Sequence, residues 1–287
     1  MFETIINYIF MFFAFSAIGW TVESTYRSIG ERRVINSGFL HGPICPIYGT
    51  GGLVFHVFLV PISQPVEKRW WMLLLLGMLL ADTVEYVTSY LMEKLFHARW
   101  WDYSNNFLNI HGRICFRHTL YWAAFSFIYV YFIAPVYEFL NGFIPQNVRT
   151  AAVFVILAVF LFDLFLTVKD AINIQKLITK LDSLRSSVVS VSEAVKITAE
   201  NRYNELQNTM SSNSEKFGEW KNDAVAQYTE IKQQLEKLIS GERTDNSSKG
   251  TKRLLLNSGL YKSVSKRMNE VERIWEELKA KYKDDNN

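Results

Sequence analysis

The chain has 287 residues, 49% of them hydrophobic and 21% charged, with a formal net charge of +3. That length allows one or two domains, and no run of Lys and Arg is dense enough to make nucleic acid a primary partner. The averages hide a division, because residues 1–170 are apolar and aromatic while residues 171–287 hold most of the Lys, Glu, Ser, Asn and Gln.

In chain order, Thr4–Val22 carries no formal charge and reaches the ~20 residues needed to cross a hydrocarbon core. Met1-Phe2-Glu3 supplies no basic n-region and no small-residue cleavage site follows, so this span reads as a retained helix. A second candidate, roughly Pro46 to Ser63, is short, contains Gly49, Gly51 and Gly52, and ends near Pro61. It fits either a crossing helix or a broken, re-entrant one, since irregular backbone survives at membrane depth only against protein or water. Trp70–Met92, His118–Leu140 and Thr150–Val168 complete the set. The expected fold is therefore all-α: a polytopic bundle of about five spans over residues 1–170, followed by a helical tail.

Lys and Arg in the connections set the orientation. The N-terminus has none, whereas Arg27, Arg32 and Arg33 follow the first span and Lys94, Arg99, Arg113 and Arg117 follow the third. Lys68 and Arg69 lie in the second loop and Arg149 in the fourth. Five crossings put the richer loops and the tail on one side, which predicts an outside N-terminus and a cytoplasmic tail in a cell membrane.

Both of those loops are rich in residues with special backbone or interfacial preferences. The first holds Ser37-Gly38-Phe39-Leu40-His41-Gly42-Pro43-Ile44-Cys45-Pro46-Ile47-Tyr48-Gly49. The second holds Trp100-Trp101-Asp102-Tyr103-Ser104 and Gly112-Arg113-Ile114-Cys115. His41, Cys45, Tyr48, Trp101, Asp102, Tyr103, Arg113 and Cys115 are the loop candidates, either as a functional surface or as ties between helix ends. Asp102 and Arg113 suggest a loop-locking ion pair. His41 and Cys45, like His111 and Cys115, stand four apart, but the paired ligand motifs of a zinc site are lacking. No metal or cofactor is therefore expected. Two cysteines on a reducing side argue against a structural disulfide, and His97 and His118 read as interfacial.

The third span carries the strongest chemical signal. Asp82, Glu85, Ser89 and Glu93 are three and four apart and share one helical face. An acid near the bilayer centre costs about 2.5–3.5 kcal/mol on insertion scales, so it should face the bundle interior or water. Glu23 and Asp163 add acids from the first and fifth spans, with Arg27, Arg113 and Arg117 as the nearest counter-charges. The four acids are candidates for a substrate or ion pathway, or for an acid–arginine network that only fixes helix register.

In the tail, Leu177, Leu181, Leu184, Val188, Val191 and Val195 keep a heptad rhythm. It weakens over residues 198–214 and resumes at Phe217, Trp220, Ala224, Ile231, Leu235 and Leu238. Residues 171–240 are thus expected as a long coiled-coil-like helix, 241–251 as a linker and 252–287 as an amphipathic helix. Dimerisation, partner docking or an intrachain hairpin would each bury such a seam. Lys252, Arg253, Lys262, Lys266 and Arg267 also suit anionic lipid.

Gly19-Trp20 with Glu23, the stretch Gly38–Gly49, Glu85–Ser104 ending in Trp-Asp-Tyr-Ser, and Gly112-Arg113-Ile114-Cys115 together resemble the family named putative ABC-transporter type IV. The resemblance covers about residues 5–170, with a fainter C-terminal echo from Lys252 to Glu270. It implies a bacterial multi-pass membrane protein acting as a permease component. The chain has no Gly-x-x-x-x-Gly-Lys-Ser/Thr loop, so a permease would need a separate ATPase subunit. No internal repeat of the kind many transporters have is evident. A membrane enzyme acting near the cytoplasmic interface and a membrane-anchored scaffold are the other readings.

Overall fold

The computed structural model describes residues 1–63, 66–96, 99–201 and 260–284, with single positions at 222, 226, 229, 230, 233 and 253. Helix dominates, as expected for an all-α chain. The elements are α1 (Phe2–Glu31), α2 (Pro46–Phe58), α3 (Val66–Phe96), a two-stranded ribbon of β1 (Asn109–Ile110) and β2 (Ile114–Cys115), α4 (Phe116–Ile128), α5 (Ala134–Gly142), α6 (Gln146–Asn201) and α7 (Leu260–Asp284). A wider π-helical turn, Tyr129–Ile133, joins α4 to α5. Pro135 lies in the first turn of α5; lacking an N–H, it cannot complete an ordinary helical ladder, and the wide turn absorbs that break. The chain divides into two compact units, the first comprising Met1–Lys169 and the second beginning at Asp170.

Four helical stretches among the described residues are long and apolar enough to cross a membrane: Phe2–Glu31, Trp70–Phe96, Phe116–Gly142 and Gln146–Ser186. The expected count of about five is corrected at the second candidate. There α2 has 13 residues, about 20 Å at 1.5 Å per residue, too short for a span of about 30 Å.

The contacts show how the chain nonetheless runs back along α1. Residues 34–45 descend beside it without helix: the Ile35 N–H donates to Ser28 Oγ, the Ser37 N–H to Ser24 Oγ and the Cys45 N–H to the Ser16 carbonyl. From Pro46 the short helix continues in the same direction. Gly49 sits against Ser16 and the Phe12 carbonyl so tightly that a Cβ would collide with both. Small residues allow this approach, which is how helices pack where no hydrophobic drive separates them from lipid.

The far end of α2 reaches the α4–α5 junction. Tyr129 Oη donates to the Gly52 carbonyl at 2.8 Å, and Tyr131 Oη to the Ser63 carbonyl at 3.2 Å. Met11, Phe15, Phe55, Leu59, Leu73, Ala81, Tyr129, Val130 and Ala134 make the buried core there. Antiparallel packing of α3 on α4 is fixed by Ser126 Oγ, which donates to the Leu73 carbonyl at 3.1 Å. Near the start of α6, buried Arg149 gives one nitrogen to Asn7 and Gln146 and the other to the carbonyls of Asn141 and Ile144. It ties the second turn of α1 and the first turn of α6 to the end of α5, and these four acceptors are all neutral.

In the second unit, Ala171, Ile174, Ile178, Leu181 and Leu184 of α6 and Val264 and Val271 of α7 are buried. Arg267 reaches Asp182 at 2.8 Å and Arg185 reaches Glu270 at 3.1 Å, so α7 lies along this part of α6 within the chain. The later heptad positions Phe217, Trp220, Ala224, Ile231, Leu235 and Leu238, the 241–251 linker and His97 lie outside the described residues.

Candidate functional site

The site lies at the end of the first unit where α1 finishes and the 99–115 loop begins. Two segments meet there: Phe39 of the first loop packs on Phe96 and Trp100 at ring centroid distances of 5.3 and 5.5 Å. The 99–115 loop is closed by the ribbon, in which Asn109 pairs with Cys115 and Ile110 with Ile114. Gly112 turns it with φ 68°, and a Cβ there would strike Ser104 and Asp102. Trp101 Nε1 donates to the Arg113 carbonyl at 3.0 Å, and the Tyr103 N–H to the Gly112 carbonyl at 2.8 Å.

So braced, Tyr103 points into the bundle. Its hydroxyl donates to Glu85 Oε1 at 3.1 Å, and Trp122 Nε1 of α4 donates to Oε2 at 3.0 Å. Glu85 is buried and has a neutral donor on each oxygen. One turn earlier on α3, Asp82 Oδ2 accepts from Thr119 Oγ1 at 2.7 Å. Its Oδ1 is buried with no hydrogen-bond partner among the described residues. Glu23 accepts a hydrogen bond from Tyr48 of α2, and the Cys45 sulfur stands 4.0 Å from its Oε2. No Lys or Arg among the described residues forms an ion pair with Asp82 or Glu85.

None of the expected counter-charges pairs with Asp82 or Glu85. Arg113 bonds Glu93 at 2.6 Å and lies over the rings of Tyr86 and Tyr90. Arg117 donates to Tyr121 at 2.8 Å, and Arg27 pairs with Glu31 at 3.3 Å while also acting as a nearby positive charge on Glu23. The anticipated Asp102–Arg113 pair does not form: Asp102 caps the Ser104 N–H at 3.0 Å and faces Arg99 at 3.7 Å. Glu93, on the acidic face of α3, holds both Arg99 and Arg113. Glu93 is less exposed than Asp102 (31% against 56%), so water screens its attraction for Arg113 less.

Asp163 also differs in role from the other acids. Its two oxygens accept the consecutive backbone N–H groups of His41 (3.1 Å) and Gly42 (2.8 Å), and Oδ1 contacts His41 Nδ1 at 3.1 Å. Thr167 Oγ1, one helical turn on, reaches the same ring nitrogen at 2.6 Å. This carboxylate holds the first loop in place. Trp20 Nε1 and Asn36 brace it further, with Asn36 Nδ2 donating to the His41 carbonyl at 2.6 Å.

The cysteines are both free and buried, and each directly precedes a helix: Cys45 before α2, Cys115 before α4. Their environments differ. Burial pushes the Cys45 thiol up to about 12, helped by the Glu23 carboxylate beside it. Cys115 Sγ instead meets His118 Nδ1 at 3.1 Å and receives Asn106 Nδ2 at 3.4 Å. The imidazole of His118 stacks on Tyr103 at 4.3 Å. His111, the partner suggested by four-residue spacing, turns to Tyr86 at 3.1 Å. Burial, then the adjacent Glu85, raises the Tyr103 phenol, which therefore stays a donor at neutral pH.

His118, Thr119 and Trp122 were not among the candidates. With Cys115 and Ser126 they stand at spacings of three, four, seven and eleven, one face of a helix, and that polar stripe in an apolar span is the signal. Among the described residues, no three His, Cys, Asp or Glu side chains are grouped to hold a metal.

A family model described as "Putative ABC-transporter type IV" matches residues 10–168, an interval that contains every residue of this site. No curated protein and no solved structure matches the chain.

Proposed function

The chain belongs to the Putative ABC-transporter type IV family, and from that membership we propose that it is the permease component of a transport system powered by a separate ATPase subunit. Four helices able to span a membrane fit that role. The chain carries no P-loop of its own, so hydrolysis is assigned to a partner. The observation that carries the pathway is the pair Asp82 and Glu85, intramembrane acids bound by Thr119, Tyr103 and Trp122 and, among the described residues, by no cationic side chain. Carboxylates at membrane depth need a counter-charge or a proton. A cation or proton in transit supplies it, with Glu23 as the third acid and Tyr48 and Tyr103 as neutral hydrogen-bonding neighbours. In this reading the tail and the two loops face the cytoplasm, where the ATPase docks.

The test is affinity purification of the full chain in mild detergent with quantitative mass spectrometry. A stoichiometric ATPase subunit is expected, with Glu85→Gln lowering substrate-stimulated hydrolysis while leaving the complex assembled. Recovery of the chain alone, or with partners that carry no ATPase, overturns the reading.

A further inference from the structure

The tip of the 99–115 loop is apolar where a water-exposed hairpin would be polar. Phe107, Leu108 and Ile110 are 74%, 64% and 51% exposed, and no charged residue lies between Tyr103 and Ile110. Leu108 adopts φ 48°, a left-handed backbone that a leucine enters only at a cost. That conformation holds an aliphatic side chain outward at the apex.

Two further observations identify what covers this tip. First, it continues a surface that lipid covers: Phe107 packs edge-on against Phe116 at 6.1 Å. Phe116 starts α4, whose outer side presents Leu120, Tyr121, Phe125 and Ile128 on a helix able to span a membrane. Second, the tip satisfies much of its own backbone. Asn109 Nδ2 donates to the carbonyls of Ser104 and Asn106, and its Oδ1 accepts the Gly112 N–H, each at 3.0 Å. The Asn106 N–H donates to the Tyr103 carbonyl and the Arg113 N–H to the Ile110 carbonyl. Backbone that enters a bilayer must have its polar groups paired internally.

We propose that the 107–110 tip is a membrane-inserted wedge, seated in the leaflet that adjoins the start of α4 and anchored by phospholipid acyl chains. Arg117 is exposed one residue beyond Phe116, and a long cationic side chain at this boundary can extend to the headgroup phosphates. Since Tyr103 stands on the same loop, lipid contact at the tip steadies the residue that caps Glu85. The wedge does not depend on the transport reading.

The test places a nitroxide at Leu108→Cys, and separately at Phe107→Cys, in the full chain. The protein is reconstituted in phosphatidylethanolamine–phosphatidylglycerol nanodiscs, with the unsubstituted chain as the background control for Cys45 and Cys115. Collisions with oxygen exceeding those with a nickel chelate at both positions are the expected result. Nickel collisions in excess place the tip in water and overturn the proposal. A label shielded from both reagents means that protein covers the tip, which overturns it equally.

Discussion

The carboxylate of Asp163 accepts the backbone N–H of Gly42 at 2.8 Å, joining α6 to the first loop across 121 residues. The same group takes the His41 N–H, so one side chain satisfies two consecutive, partly buried backbone donors. Asp163→Ala is expected to destabilise the protein by roughly 1.5–3 kcal/mol or more, the usual worth of hydrogen bonds to a charged group. Thermal unfolding in detergent measures it. An unchanged midpoint with lost transport would instead make Asp163 a pathway acid.

Tyr103→Phe removes one of the two donors to Glu85 and leaves the ring stacked on His118. The stem of the loop should loosen, so limited proteolysis within residues 99–115 is expected to accelerate. Trp122→Phe removes the other donor from α4 and should leave that cleavage rate near its original value.

The raised Tyr103 phenol has a defined sign. Its folded form holds the proton more tightly than the unfolded chain, so its contribution is complete below the ordinary phenol value of about 10. Stability should fall as pH rises above that value, and Tyr103→Phe should flatten this alkaline limb in a pH series of unfolding midpoints.

Cys45, pushed up to about 12, is almost wholly thiol at pH 8. Maleimide labelling of the native protein at that pH should therefore leave it unmodified, and unfolding should expose it. Because burial is the larger cause and Glu23 the smaller, Glu23→Gln should raise the native labelling rate only slightly. Peptide mass spectrometry reads both, and fast labelling of the native protein would refute the buried placement.

Gly49→Ala places a methyl group against Ser16 and the Phe12 carbonyl. Overpacking of this kind costs roughly 1–3 kcal/mol. Gly51, with open space where its Cβ would lie, should accept alanine with little loss. The contrast between the two midpoints tests the α1–α2 interface.

The membrane character, the helical class and the acidic face of α3 were legible because each rests on local composition or on a 3.6-residue period. Glu85 and Ser89 are buried as that period requires. The partners of those acids were not legible. Nothing in the spacing of Arg113 says that Glu93, on α3, outcompetes Asp102 in its own loop. The rhythm of Leu181 and Leu184 likewise did not say whether another chain or α7 would cover them.

By itself, then, the sequence determined which segments avoid water, how long they are, and which residues share a face, since these follow from side-chain chemistry and helix geometry. Only the tertiary structure decided that residues 34–58 return along α1 as a non-helical stretch and a short helix, that Asp163 holds a loop, and that His118 and not His111 meets Cys115. Those outcomes depend on contacts between residues far apart in the chain, where competition among partners sets the result and no local pattern records it.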